Sequence, residues 1–174
     1  MTLKASLRTR YLKIRDAISL VRQEIAEQAL YAQFEHVSGS VLSFSSMGSE
    51  IANKSLNQLL AKRKQLVLPR CAGPYLQLYS VSDLAHLQLG SYGLLEPNLA
   101  ICPEVQLSTV DVILVPGIVF DADGYRIGYG KGYYDRLLAV ATATTIGVGF
   151  LEQKIEGALP IDSWDVPVQK LFLT

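Results

Sequence analysis

Val110-Asp111-Val112-Ile113-Leu114-Val115-Pro116 contains a continuous Val-Ile-Leu-Val run that stops at a proline. A short apolar run of this kind, bounded by turn residues, reads as a buried strand. Gly117-Ile118-Val119-Phe120-Asp121 follows, and then Gly124-Tyr125-Arg126-Ile127-Gly128-Tyr129-Gly130-Lys131-Gly132-Tyr133-Tyr134-Asp135. The strand therefore leads through a turn into a glycine-rich basic loop that opens a predicted helix. Such a loop points backbone N–H groups at an anion, and its glycines let the backbone approach a ligand. Arg126 and Lys131 add two cations with no evident partner in the local sequence. The stretch suggests a phosphate cradle with a carboxylate, Asp135, beside it.

Spacing excludes the commonest phosphate loops. No Gly-x4-Gly-Lys-Ser/Thr occurs, and Gly128-Tyr129-Gly130-Lys131-Gly132 does not fit the Gly-x-Gly-x-x-Gly dinucleotide fingerprint.

Outward from the run, periodicity predicts a helix over residues 3–16, with Leu3, Leu7, Tyr11 and Ile14 on one face. Ser19 is placed to cap a second helix ending near Phe34, with Val21, Ile25, Ala29 and Ala32 inward. A strand is expected over Ser40–Ser45, a helix over Asn53–Lys64, and strands over Gln65–Pro69 and Tyr75–Ser80. Residues 83–108 look irregular, with turn signals at Gly90, Gly93, Pro97 and Pro103. Beyond the loop come a helix over Tyr133–Ala143 and strands over Thr145–Phe150 and Lys170–Leu173. Strand and helix alternate, which predicts a single-domain α/β/α sandwich with a mainly parallel sheet spanning residues 1–174. Ligands in such folds sit beyond the carboxyl ends of the strands.

Composition narrows the partners. Of the 174 residues, 49% are hydrophobic and 18% charged, which suits a folded domain with a sizeable core. The formal net charge is +0, so a nucleic-acid binder relying on bulk phosphate neutralisation is not expected. No apolar run approaches the ~20 residues that span a bilayer, and no signal-peptide core precedes the first helix. A cytoplasmic monomer is the expectation. Cys71 and Cys102 fit no zinc or redox spacing and are expected to be reduced thiols. His36 and His86 suggest surface or packing positions, with no catalytic triad.

Other residues carry chemical interest. Lys4 and Arg8 stand four apart and share a helix face, where like charges repel unless an anion neutralises them. Glu50 follows Ser43-Phe44-Ser45-Ser46-Met47-Gly48-Ser49 at a strand end. A carboxylate there is a first-turn helix residue or an acceptor for an amino-bearing heterocycle, on which Met47 could pack. Arg70 ends a strand as a cap or a ligand contact, and Glu96-Pro97 suggests a turn. Magnesium, held by carboxylate and phosphate oxygens, is the metal such residues suit, with Asp135 first and Asp121 second as ligands.

Together these segments resemble the 5-formyltetrahydrofolate cyclo-ligase family, also called 5,10-methenyltetrahydrofolate synthetases. Val115–Asp121 and Gly124–Asp135 carry the resemblance. Lys4-x-x-Leu7-Arg8, Glu50, Leu68-Pro69-Arg70, Gly93-Leu94-Leu95-Glu96-Pro97 and Asp165-Val166-Pro167 agree in order. The resemblance implies ATP- and Mg2+-dependent closure of 5-formyltetrahydrofolate to 5,10-methenyltetrahydrofolate, releasing ADP and phosphate. It implies that ATP contacts Lys4, Arg8, Arg126, Ile127, Gly128, Tyr129, Gly130, Lys131, Gly132, Tyr133 and Tyr134. The folate would meet Ser45, Met47, Glu50 and Tyr92 together with Tyr129, Gly130, Lys131 and Gly132. Lys131 and Arg126 would stabilise the transferring phosphoryl group, and Asp135 would hold Mg2+. A second acidic metal residue is usual after the C-terminal Val-Pro step, but Gln169 stands there, which argues against a second direct protein ligand. Two other readings remain: a phosphosugar isomerase or CoA-transferase-like enzyme, and a nucleotide-binding sensor without turnover.

Overall fold

The computed structural model describes residues 2–90 and 93–174. Helix α1 runs Leu3–Asp16 and α2 runs Leu20–Phe34. Ser19 caps α2, its side chain accepting the Arg22 N–H. Strand β1, Val41–Leu42, is followed by α3, Lys54–Lys62. Next come β2, Leu66–Ala72, β3, Tyr75–Ser80, β4, Leu87–Leu89, β5, Leu95–Pro97, and β6, Glu104–Val105. Strands β7, Val112–Pro116, β8, Val119–Phe120, and β9, Arg126–Ile127, lead to α4, Tyr133–Leu138. The last two strands are β10, Thr144–Gly149, and β11, Lys170–Leu173.

Among the described residues, seven strands form one sheet in the order β11-β10-β7-β1-β2-β3-β6. The pairs from β11 through β2 are parallel, while β3 and β6 add an antiparallel edge. The expected mainly parallel sheet is therefore present. Its strands alternate between two cores. Val41, Leu66, Leu68 and Leu114 pack with Leu30, Phe34, Leu56 and Leu60 of α2 and α3. Leu42, Val67, Ile113 and Val115 pack with Leu137 and Leu138 of α4. Burial on both faces explains the uninterrupted apolar run of β7, whose three central residues, Ile113, Leu114 and Val115, are all buried. A third cluster seats α1, through Tyr11, against Ile118, Val119 and Ile127 of the β8–β9 hairpin.

The expectations differ from the structure at several elements. The inward face of α2 is Ala26, Leu30 and Phe34, whereas Val21 and Ile25 are exposed and Ala32 faces solvent. The helix carries two apolar stripes a residue apart, and the one with the larger side chains is buried. Helix α4 stops at Leu138 instead of Ala143. Val140 and Ala141 N–H groups bond back three residues to Leu137 and Leu138, tightening the chain for the start of β10. The strand over Ser40–Ser45 is shorter because the Phe44 carbonyl is claimed by the Asn53 and Asn57 side chains. Residues 83–108 contain β4, β5 and β6.

Strand β1 leads by α3 to β2 on one side, and β7 leads to β10 on the other. The order therefore reverses between β1 and β7, which is where an open α/β sheet leaves a crevice at its carboxyl edge.

Candidate active site

A cavity of about 700 Å³ opens at that edge. Phe44, Ser45, Met47 and Glu50 enter it from the segment after β1, Pro69 and Cys71 from β2, and Pro116 and Gly117 from the end of β7. Lys4 and Arg8 reach it from α1, and every residue from Arg126 to Asp135 lines it. The structure thus gathers the residues that the resemblance assigns to ATP, folate and metal, except Tyr92, which lies outside the described residues; Asp121 and Arg70 do not line the cavity.

The loop is held from two sides. Gly130 and Gly132 have φ of +88° and +67°, a left-handed conformation that other residues adopt at a cost. The Arg8 guanidinium donates its Nε–H to the Gly128 carbonyl at 2.7 Å. Arg136 Nη2 donates to the Lys131 carbonyl at 2.7 Å, while its Nε donates to the Pro74 carbonyl in the β2–β3 turn. Lys131 itself is exposed, and among the described residues its ammonium has no hydrogen-bond or ion-pair partner. It is a cation available to a ligand.

Arg126 is different, and the expectation that it lacked a structural partner is corrected. Its side chain is 4% exposed, pairs through Nη2 with Asp135 Oδ1 at 3.0 Å, and donates through Nη1 to the Val166 carbonyl at 2.7 Å. Burial lowers its pKa, and the Asp135 charge offsets that. Asp135 takes its hydrogen bonds from Arg126 and from the Val166 N–H on Oδ1. Tyr134 has its phenol pushed up by burial and stays protonated.

Lys4 is also committed. Its ammonium donates to Asp162 at 2.6 Å and to Asp165, closing residues 162–165 over α1. Burial alone would lower its pKa, but the two carboxylates hold it above the usual value. Asp162 and Trp164 also line the cavity, and the spacing after Pro160 gave no hint of them. Gln169 does not line it. Its Oε1 accepts the Thr145 N–H, and its own N–H bonds the Thr145 hydroxyl, so it clasps β10 to the approach to β11. Asp121 is likewise removed as a metal candidate. It is 1% exposed and accepts the N–H groups of Asp123, Tyr125 and Leu159.

Glu50 sits deep, with its side chain 8% exposed. Burial pushes its carboxyl above the usual range, while the Met47 N–H, the Arg15 charge and the Tyr129 hydroxyl pull it back. Ser45 donates to the Leu95 carbonyl at 2.7 Å, tying the segment after β1 to β5. Glu96 is buried in β5 facing Arg70 at 3.2 Å, so this acid is part of the cavity wall instead of a surface turn. Arg15 is a further residue that sequence reasoning missed: a buried guanidinium beside Glu50 and Tyr129. Its signal was the 4-3-4 spacing of Lys4, Arg8, Tyr11 and Arg15, which sets them along one stripe of α1.

The profile of the 5-formyltetrahydrofolate cyclo-ligase family matches residues 1–174. The chain belongs to that family. It is an enzyme of the family by the same match. It is 28% identical over 177 residues to the 5-formyltetrahydrofolate cyclo-ligase of Haemophilus influenzae, covering 95% of this chain and 94% of the relative. Identity to the Mycolicibacterium smegmatis 5-formyltetrahydrofolate cyclo-ligase is 32%, covering 94% of this chain and 89% of the relative. The NMR structure of Aquifex aeolicus 5,10-methenyltetrahydrofolate synthetase superimposes with a TM-score of 0.86 at 34% identity, over 98% of this chain and 89% of that one. In this cyclo-ligase family member, then, the fold and the residues around the cavity belong together.

Proposed function

We propose that this chain closes 5-formyltetrahydrofolate to 5,10-methenyltetrahydrofolate, consuming ATP and releasing ADP and phosphate. The observation that supports it most is one cavity containing both an acceptor for a heterocycle, Glu50, and a glycine loop with an unpaired cation, Lys131. ATP is read along Arg8 and the loop, and the pterin at Glu50 with Ser45 and Met47.

The chemistry has two obstacles. A formamide oxygen is a weak nucleophile, and hydroxide is a poor leaving group once the ring has closed. Attack of the formyl oxygen on the γ-phosphorus of ATP breaks the bond to the bridging oxygen and releases ADP. N10 then attacks the activated carbon, the carbon–oxygen bond breaks, and phosphate leaves with the electron pair. N10 gives up its proton, and the methenyl bridge remains. No protein nucleophile takes part. Lys131 and the loop N–H groups stabilise charge on the transferring group, and Arg126 supplies a fixed positive charge under the loop. Lys4, neutralised by Asp162 and Asp165, acts more as a wall than as a free phosphate contact.

Among the described residues no group of three or more His, Cys, Asp or Glu forms a metal cage. Magnesium bound with phosphate needs only one or two carboxylates and keeps several waters. Asp135 fits that demand, because its hydrogen bonds fall on Oδ1 and leave Oδ2 for the ion's hydration shell. Bound there, Mg2+ would neutralise phosphate charge.

We expect a monomer, with a sedimentation mass near 19.1 kDa. Two free cysteines suit a reducing compartment, and we place the enzyme in the cytoplasm. No helix among the described residues is long and apolar enough to cross a membrane. The deciding assay mixes purified protein, ATP, Mg2+ and 5-formyltetrahydrofolate and follows methenyl absorbance. Product formation strictly dependent on ATP is expected. A flat trace from folded protein would remove the proposal, and ATP binding without folate-dependent ADP release would favour a sensor.

A further inference from the structure

Arg15 is 2% exposed, an unusual fate for an arginine on a helix whose other basic residues face water or the cavity rim. Its guanidinium reaches three side chains on two segments, the one after β1 and the glycine loop. Nε lies 3.1 Å from the Ser49 hydroxyl, Nη2 donates to the Tyr129 hydroxyl at 2.7 Å, and Nη1 lies 3.8 Å from Glu50 Oε1. Among the described residues Nη1 has no hydrogen-bond partner. Burying a charge with an unmet N–H costs stability, and an apolar side chain of similar volume would fill the same space at less cost. Packing alone therefore does not account for an arginine at this position.

The guanidinium is the point where the network branches. It donates to the Tyr129 hydroxyl at 2.7 Å and faces Glu50 Oε1 at 3.8 Å, so it stands between the loop and the carboxylate. One residue before Tyr129, the Gly128 carbonyl accepts from Arg8, so two arginines of α1 hold adjacent residues of the loop. What happens at Glu50 is thereby felt by Tyr129, and Tyr129 sits in the loop that wraps the nucleotide.

We propose that Arg15 is a positioning residue that couples recognition of the folate ring at Glu50 to closure of the 126–135 loop on the nucleotide; this rests on the function proposed above. A ring N–H pair that engages Glu50 fixes the carboxylate facing Arg15, and with it the guanidinium. A fixed guanidinium holds the Tyr129 hydroxyl, and through it the loop, in place for the nucleotide. Without Arg15, the two sites share no side chain and bind independently. Coupling of this kind is reciprocal: each ligand then tightens the other by the same factor.

The test is calorimetric measurement of the Kd for 5-formyltetrahydrofolate with and without a non-hydrolysable ATP analogue and Mg2+. In the wild-type protein the analogue tightens folate binding by roughly 5–10-fold, the ordinary scale of such coupling. Arg15→Met and Tyr129→Phe each bring that ratio to about one, and the double variant goes no further. Arg15→Lys, which keeps a charge beside Glu50 but cannot fork to Ser49 and Tyr129, restores folate affinity without restoring the ratio. Tyr129 is 44% exposed, so Tyr129→Phe is not expected to disturb folding. If Arg15→Met weakens both ligands but leaves the ratio as in wild type, Arg15 is structural and the inference is overturned. A wild-type ratio of one overturns it equally, and if methenyl product still forms the proposed function stands. Absence of product from the wild-type protein removes both.

Discussion

Lys131 and Arg126 were paired in the sequence as two cations among glycines, yet their surroundings separate them. Arg126 is buried in a fixed ion pair with Asp135, so its charge is part of the scaffold. Lys131 is exposed, and it is the cation we propose meets the transferring phosphoryl group. Lys131→Ala should lower kcat at least ~100-fold, the scale of losing one donor aimed at transition-state charge. Steady-state rates at saturating ATP check this, and a near-wild-type kcat would end that role. Glu50 calls for a different experiment. Because burial holds its carboxyl above the ordinary range, it loses its charge earlier on acidification than an exposed glutamate would. The groups that face it are Arg15 from α1, the Met47 N–H, Tyr129 from the loop and Tyr134 from α4. Of these only Glu50 changes charge in mildly acidic solution. The KM for the folate should therefore rise as pH falls through the region above 4.5, the unperturbed value. Glu50→Gln should raise KM at neutral pH, chiefly by uniform binding, and flatten that rise. A wild-type pH profile in the variant would take Glu50 out of the site.

Elements explain why some of this could be read from sequence and some could not. β7 was legible because every residue of its run is apolar, and β10 and β11 because each spans at least four residues. β4, β5 and β6 have two or three residues each, too short to show a period of two. Helix α2 misled because periodicity locates a stripe but not which of two stripes faces inward. The glycine loop was legible as a ligand cradle, since three alternate glycines have few structural uses. Its support was not: Arg8, Arg15 and Arg136 reach it from 5 to 120 positions away in sequence. Gly130→Ala tests the cradle itself. With φ at +88°, an added Cβ is strained by roughly 1–3 kcal/mol whatever space surrounds it. That Cβ would also meet the Arg8 guanidinium at 3.4 Å. ATP affinity should fall roughly tenfold, about 1.4 kcal/mol, with folate affinity less affected. Calorimetric Kd values for the two ligands check it, and equal losses for both would point to collapse of the whole loop.

At the scale of the molecule, the sheet is the rigid part and the cavity walls are attached to its carboxyl edge. Leu114 lies at 0% exposure in β7, between β10 and β1. Leu114→Ala should cost about 3 kcal/mol and lower Tm by ~6–12 °C, on the usual scale for a buried leucine in a domain of this length. Thermal denaturation followed by circular dichroism checks this. A loss below about 1 kcal/mol would mean that the core there relaxes readily. The sandwich and its mainly parallel sheet followed from strand–helix alternation, and the carboxyl edge of the strands was the expected place for a ligand; the reversal between β1 and β7 came only with the strand order. The residues that close the cavity, Asp162, Trp164 and Asp165, did not, because they act through tertiary contacts with α1.

The Lys4 clasp on Asp162 and Asp165 joins residues 158 and 161 positions apart. A contact of that span has a high loop-closure cost and forms only after the sheet has brought the two distant segments together. The wall over α1 is therefore expected to be among the last parts of the cavity to close during folding, after the locally paired strands are in place.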